Sequence, residues 1–356
     1  MFAGWSTLGE HKWSTSRERQ GFNTDNMFNQ VNIINSAGSW NDPLTLGSTY
    51  TLTATPGSVV TGSTFTAMFP SSFTLNWSSG SAVEGFNPIP TLYRAEISTD
   101  DFSTLAASSQ TYGIGALFAA LTPNTTYFAR ARAFNTAGAA TAFSALGSTI
   151  TPASQPGTVA SPFGEIGTGS LAVSWAAGGN PLSVTTYTVQ ASTAADFTAS
   201  GAQDFVSLAT VPASASATIG GLRSNTTYYL RVRAVNFAGT TTEFTAFGGT
   251  STLANGPYGE VFGPVLPDSM TVSWNANGNP LAMTTYTVLL STAQDFSAGA
   301  SPYAFTLETA PVAGPGASFT GLLANATYHL KLRAVNHNGL QGGFTAWGRS
   351  GQAAES

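Results

Sequence analysis

The residues able to do chemistry are few, and their spacing decides what they can be for. Three histidines, His11, His329 and His337, stand near no repeated carboxylate or nucleophile pattern. There is no cysteine, which excludes disulfides and thiolate metal sites. No Gly-x-Ser-x-Gly, phosphate-binding loop or His-Glu-x-x-His occurs. The sequence therefore reads as a non-enzyme, with no catalytic residue, no metal and no cofactor.

Three sets of polar residues recur. Ser98-Thr-Asp-Asp-Phe102, Ser192-Thr-Ala-Ala-Asp-Phe197 and Ser291-Thr-Ala-Gln-Asp-Phe296 each offer one or two carboxylates. Calcium wants roughly six to eight oxygens, so a turn with a Phe anchor is the better reading. Arg130/Arg132, Arg231/Arg233 and Lys331/Arg333 hold six of the twelve basic residues. They could form a cationic stripe for acidic glycans, but two charges per copy favour a solvated strand face with stems lying over neighbours. Asn124, Asn225 and Asn325 each open an Asn-x-Thr sequon at the same place, and Asn76 opens a fourth. Glycan attachment is one reading of these asparagines. Turn chemistry at a recurring corner is the favoured one.

The recurrence belongs to whole structural units. Tyr127, Tyr228 and Tyr328 are spaced 101 and 100 residues apart, and Trp77, Trp175 and Trp274 are spaced 98 and 99. Residues 121–138, 222–239 and 322–339 carry closely similar wording. In residues 228–235, Tyr228, Leu230, Val232 and Ala234 share one face and Arg231 and Arg233 the other, the alternation of a half-buried strand. Gly/Asn/Pro clusters separate such strands, and no stretch shows a helical period. Short strands with an early Trp and a late Tyr predict a two-sheet antiparallel β-sandwich in each unit, an all-β chain.

These residues resemble the fibronectin type III domain. The resemblance rests on the Trp of the second strand, the Leu-x-x-x-x-x-Tyr corner (Leu121/Tyr127, Leu222/Tyr228, Leu322/Tyr328) and the alternating Arg-x-Arg-Ala-x-Asn strand. It implies that Trp77, Trp175, Trp274, Tyr127, Tyr228 and Tyr328 are structural, each Tyr bonding back to the preceding loop. The Leu-x-x-Asn-x-Thr-Tyr and Asn-Pro-Leu-x-x-Thr-Thr-Tyr wording looks like tandem repeats of bacterial secreted and surface proteins. The expected organisation is an arm at 1–23, a partial unit at 24–53 and three units at 54–153, 154–254 and 255–356. The first full copy is the most divergent, with Gly85-Phe-Asn-Pro88 in place of Gly-Asn-Pro-Leu.

The partial unit appears when the period is projected backwards. Residues 27–38 align with 127–138 without a gap, and 46–52 parallel 146–152. Residues 24–53 then read as the last two strands of a sandwich whose other strands are absent. A lone hairpin is marginal in water and exposes strand edges. Assembly is one reading: the next copy covers the hairpin through Met27, Phe28, Val31, Ile33 and Ile34, head-to-tail. A chain that begins mid-repeat and an unrelated local fold are the alternatives. No signal peptide is visible at the start.

Composition bounds the function. Charged residues are 8% of the 356, against about 25% in ordinary soluble domains. The net charge of −5 argues against nucleic acid as partner, and no apolar run is long enough to insert in a membrane. The expected role is a structural subunit of an extracellular prokaryotic filament, sheath or surface layer, a homopolymer with copies of itself and with glycans as further partners. The alternative is a spacer or carbohydrate-binding segment of a larger secreted enzyme or adhesin.

Overall fold

A computed structural model of the chain describes residues 26–31, 39, 44–59, 62–296, 305–308 and 315–351. Among these every regular element is a β-strand, and the chain divides into two compact units, Met1–Ala153 and Ser154–Ser356.

The first unit opens with β1 (Asn26–Val31) and β2 (Leu44–Tyr50). Next come β3 (Phe65–Phe69), β4 (Ser72–Asn76), β5 (Gly80–Ser81), β6 (Gly85–Phe86), β7 (Leu92–Ser98), β8 (Ala107–Thr111), β9 (Gly115–Ala119), β10 (Thr126–Phe134) and β11 (Ser144–Ile150). One sheet runs β3-β4-β9 and the other β11-β10-β7-β8, all antiparallel. The two-residue pair β5-β6 falls in the divergent loop of this first repeat.

The second unit holds two sandwiches. Repeat 2 contains β12 (Phe163–Ile166), β13 (Ser170–Ser174), β14 (Thr186–Ser192), β15 (Phe205–Thr210), β16 (Ser216–Gly220), β17 (Thr227–Val235) and β18 (Thr245–Ser251). Repeat 3 contains β19 (Tyr258–Val265), β20 (Ser269–Asn275), β21 (Thr285–Ser291), β22 (Phe305–Glu308), β23 (Gly316–Thr320), β24 (Thr327–Val335) and β25 (Thr345–Gly351). The sheets are β12-β13-β16 with β15-β14-β17-β18, and β19-β20-β23 with β22-β21-β24-β25.

The alternation in sequence becomes burial. Along β10 and β17 every second residue is buried, and the apolar rows of the two sheets meet in one core per repeat. The three tryptophans lie at the bottom of these cores against a tyrosine of the facing sheet. Ring centroids are 5.8 Å apart for Trp77–Tyr93, 5.0 Å for Trp175–Tyr187 and 5.1 Å for Trp274–Tyr286. Such pairs add about 0.5–1.5 kcal/mol beyond the area they bury. The late tyrosines pin the crossover between sheets. Tyr127 Oη accepts from the Thr122 N–H at 3.0 Å, Tyr228 Oη from Arg223 at 2.9 Å and Tyr328 Oη from Leu323 at 2.9 Å.

The hairpin β1-β2 has the register of the last hairpin of a full repeat. Asn26 pairs with Tyr50, Met27 with Thr49 and Phe28 with Ser48, and the register then slips before Gln30 pairs with Thr45. In β10-β11, Thr126 pairs with Ile150, Tyr127 with Thr149 and Phe128 with Ser148, and a slip precedes Arg130 with Ala145. The β17-β18 pair slips at the corresponding place, beside Gly248 at φ 86°. A bulge of this kind re-aims a strand and recurs by position. In full repeats the equivalent of β1 also pairs on its other edge, with β7 or β14. Among the described residues β1 pairs with β2 alone.

Candidate functional site

Among the described residues no cluster of His, Asp or Glu could hold a metal ion, and two polar sites are built: the joint at the start of a repeat, and the outer face of the four-stranded sheet.

The joint is organised by the Asn of each Asn-Pro turn. Asn279 Oδ1 accepts from Asn255 N–H at 2.7 Å while its Nδ2 donates to Asn255 O at 2.8 Å. Asn180 holds Ser154 in the same two-bond grip, and Asn87 holds Ala54. The incoming chain is thus paired at both backbone groups as it enters each sandwich. From the other side, Asn336 Nδ2 donates to Thr252 O at 3.0 Å, and Asn135 Nδ2 donates to Thr51 O at 3.2 Å. The hairpin is therefore tied to repeat 1 by the bond that ties repeat 2 to repeat 3.

Between repeats 2 and 3 the joint is denser. Asn225 adopts a left-handed φ of 44° and is buried. Its Nδ2 donates to Thr284 Oγ1 at 2.7 Å, and its Oδ1 accepts from His337 N–H at 2.9 Å. The same Oδ1 lies 2.7 Å from His337 Nδ1. An amide oxygen has no proton to give, so Nδ1 carries the hydrogen in this contact. Nε2 lies 2.8 Å from Thr227 Oγ1 and 3.0 Å from Ser251 Oγ, and Asn338 Nδ2 donates to Ser251 Oγ at 2.8 Å. The bonded side chains follow one another from Asn338 through Ser251, Thr227 and His337 to Asn225 and on to Thr284.

The four sequon asparagines differ in exposure. Asn124 and Asn225 are each only 1% exposed, so neither presents its amide to an enzyme in the folded chain. Asn76 is half-buried, with Nδ2 donating to Thr66 Oγ1 at 2.9 Å, whereas Asn325 is exposed. All three corner asparagines have positive φ, 47°, 44° and 53°, the conformation Asn tolerates better than most residues.

The second site is a stack of cations and phenyl rings. The Arg130 guanidinium lies 4.1 Å from the centroids of both Phe102 and Phe143, and Arg231 lies 3.9 Å from Phe197 and 4.1 Å from Phe244. Lys331 Nζ lies 4.2 Å from Phe296. Arg132, Arg233 and Arg333 then lie 4.5, 4.7 and 4.4 Å from Phe143, Phe244 and Phe344. The Phe of each Asp-Phe turn reaches its cation because it too has positive φ, 67°, 62° and 53°. In that turn Asp100 accepts from Ser98 Oγ at 2.6 Å and from Thr104 Oγ1 at 2.7 Å and N at 2.9 Å. Those bonds, Ser98 first, hold its carboxyl down at about 2. Burial, helped by the neighbouring Arg233, lowers the pKa of Arg231.

Of the residues assigned from sequence, Met27, Phe28 and Val31 are on β1, and Ile33 and Ile34 lie outside the described residues. Phe143, Phe244, Phe344 and the clamping Asn87, Asn180 and Asn279 went unassigned, although both sets recur at the repeat spacing. His337 has no such signal, since Thr136 and Phe237 stand in its place in the other repeats.

Residues 155–246 match the fibronectin type III domain family. No curated relative matches the chain. Among solved structures it is similar to a two-domain fibronectin type III segment from chicken tenascin, at 15% identity and a TM-score of 0.36, covering 56% of this chain and 100% of that one. It is also similar to the FN1–FN3 domains of chicken CNTN1, at 16% identity and a TM-score of 0.27, covering 84% of this chain and 99% of that one. Domains of this type are typically non-catalytic and commonly extracellular. No helix among the described residues is long and apolar enough to cross a membrane. Tandem sandwiches of this kind are consistent with a structural or spacer module.

Proposed function

We propose that this chain is a structural spacer of the cell exterior, in which repeats 2 and 3 move as one body. The observation that carries this reading is the joint: six side chains from both repeats, Asn225, Thr227, Ser251, Thr284, His337 and Asn338, share one chain of hydrogen bonds, and Asn336 donates to Thr252 O beside them. Each neutral bond is worth only about 1 kcal/mol net, but breaking one strands buried partners at a further cost. A hinge built for motion would leave its backbone groups to water.

The absence of native cysteine makes the test direct. Spin labels on Ser207→Cys and Ser318→Cys, both exposed positions on different repeats, report the distance between them. One narrow distribution is expected in the full chain, broadened by Asn225→Ala. A broad distribution in the unmodified joint overturns the reading.

The register of β1-β2 favours a second reading, in which the chain is a subunit of an extracellular filament, sheath or surface layer. A hairpin with the pairing and bulge of a repeat's last two strands, with the outer edge of β1 unpaired among the described residues, suits completion by another copy. Deleting residues 1–50 should then leave folded repeats that no longer polymerise; polymers from the deletion variant remove this reading.

A further inference from the structure

The stacked cations outnumber the carboxylates beside them. Among the described residues the ion pairs are Arg94–Glu96 at 2.8 Å, Arg130–Glu96 at 2.7 Å and Arg223–Asp204 at 3.0 Å. Only the first two lie on a four-stranded sheet's central strands, in repeat 1. There Glu96 stands opposite Arg130, and Arg94 opposite Arg132. In repeat 2 the residue opposite Arg231 is Gln190, and Arg233 faces Thr188. In repeat 3 Lys331 faces Leu289 and Arg333 faces Thr287. Three cations with one carboxylate, and twice two cations with none, leave the same surplus of two positive charges on the central strands of each repeat. The flanking strands add nothing in repeats 1 and 2, and one charge of each sign, Glu308 and Arg349, in repeat 3.

This surplus sits on a chain of net charge −5, so it does not follow from composition. It is also unrelieved. The Nε–H groups of Arg132, Arg233 and Arg333 are shielded from water and have no acceptor, in all three copies. The turn carboxylates Asp100 and Asp196 are turned onto Thr104 and Thr198 and make no ion pair with the stack. Phenyl rings hold the guanidiniums in place, so little side-chain entropy is left to lose when an anion arrives.

We infer that the outer face of the four-stranded sheet in each repeat binds a linear acidic polysaccharide through its carboxylates. A planar guanidinium pairs with a carboxylate in a two-point fork. Around the cations of repeat 2, Thr186, Thr188, Gln190, Ser207 and Ala209 point outward, with half-buried Phe205, Tyr229 and Val235 at the ends of the same rows. A protein partner needs desolvated apolar anchors at the centre of its contact, and on β14, the strand that faces the cations, the outward residues are Thr186, Thr188 and Gln190. A hydrated polymer with regularly spaced charges needs only what is there, one receptor site per repeat.

The test measures calorimetric binding of the full chain to polygalacturonate at about 50 and about 200 mM salt. Dextran, poly-L-glutamate and anionic phospholipid vesicles serve as comparison ligands. Polygalacturonate is expected to bind at low salt and to be released at high salt. Arg233→Gln with Arg333→Gln should weaken it about tenfold or more. Gln190→Glu with Leu289→Glu, which supplies the carboxylate that repeat 1 already has and leaves the stacks in place, should do the same. Arg223→Gln removes one charge away from the face and should bind normally. Absence of binding at low salt, equal binding to dextran, equal loss in Arg223→Gln, or equal or tighter binding of poly-L-glutamate or vesicles each overturns the inference.

Discussion

Phe73 shows how one residue answers another across a core. On β10 the inward positions of repeat 1 are Ala129 and Ala131, where β17 has Leu230 and Val232. The lost volume is returned from β4, where Phe73 replaces Leu171 and touches Phe65, Phe118 and Tyr127 at centroid distances of 5.6, 6.0 and 6.0 Å. Phe73→Ala should cost about 3–5 kcal/mol. Calorimetry should show the transition of the first unit lowered and that of the second unchanged. At Asp100 the prediction concerns pH. Its folded-state pKa of about 2 lies below the ordinary value of 3.8, so its stabilising contribution is complete above the upper value and is lost as pH falls through the lower. Asp100→Asn should therefore flatten the acid limb of the unfolding profile between those values. A profile that matches the parent there would contradict the assigned bonds.

Strands and corners were legible in the sequence because their signals are local. Alternation along residues 228–235 and the recurring Trp and Tyr needed only a period of two and a period near one hundred. Even the β1-β2 hairpin, without its tyrosine, could be placed by projection. The joint was not legible, because its bonds span distances that no local pattern reports: Asn225 meets Thr284 59 residues on and His337 112 residues on. Asn-Pro was read as punctuation between strands, which is its backbone role, while its side chain grips the chain entering the sandwich. Asn279→Ala removes both bonds of that grip and should destabilise the joint by about 1–3 kcal/mol. Faster hydrogen exchange at the Asn255 amide, with exchange along β14 unchanged, is the expected signature.

For the whole molecule, two kinds of order coexist. Each sandwich closes its own core, so a repeat keeps its fold whichever neighbour it has. The joints do not share that indifference. Asn87, Asn180 and Asn279 are common to every repeat, but the ring that completes the bond chain occurs once, at His337. His337→Phe, which copies the residue of repeat 2 into repeat 3, should leave both cores intact while freeing the two to swing, as small-angle scattering of the full chain would record. Similar segments in tandem invite recombination during replication, and most products of such exchange would still fold. A gene reshuffled so that repeats 2 and 3 trade places would encode sound beads on a loosened string. The lone imidazole thus acts as a positional address, making the succession of these domains something selection can see.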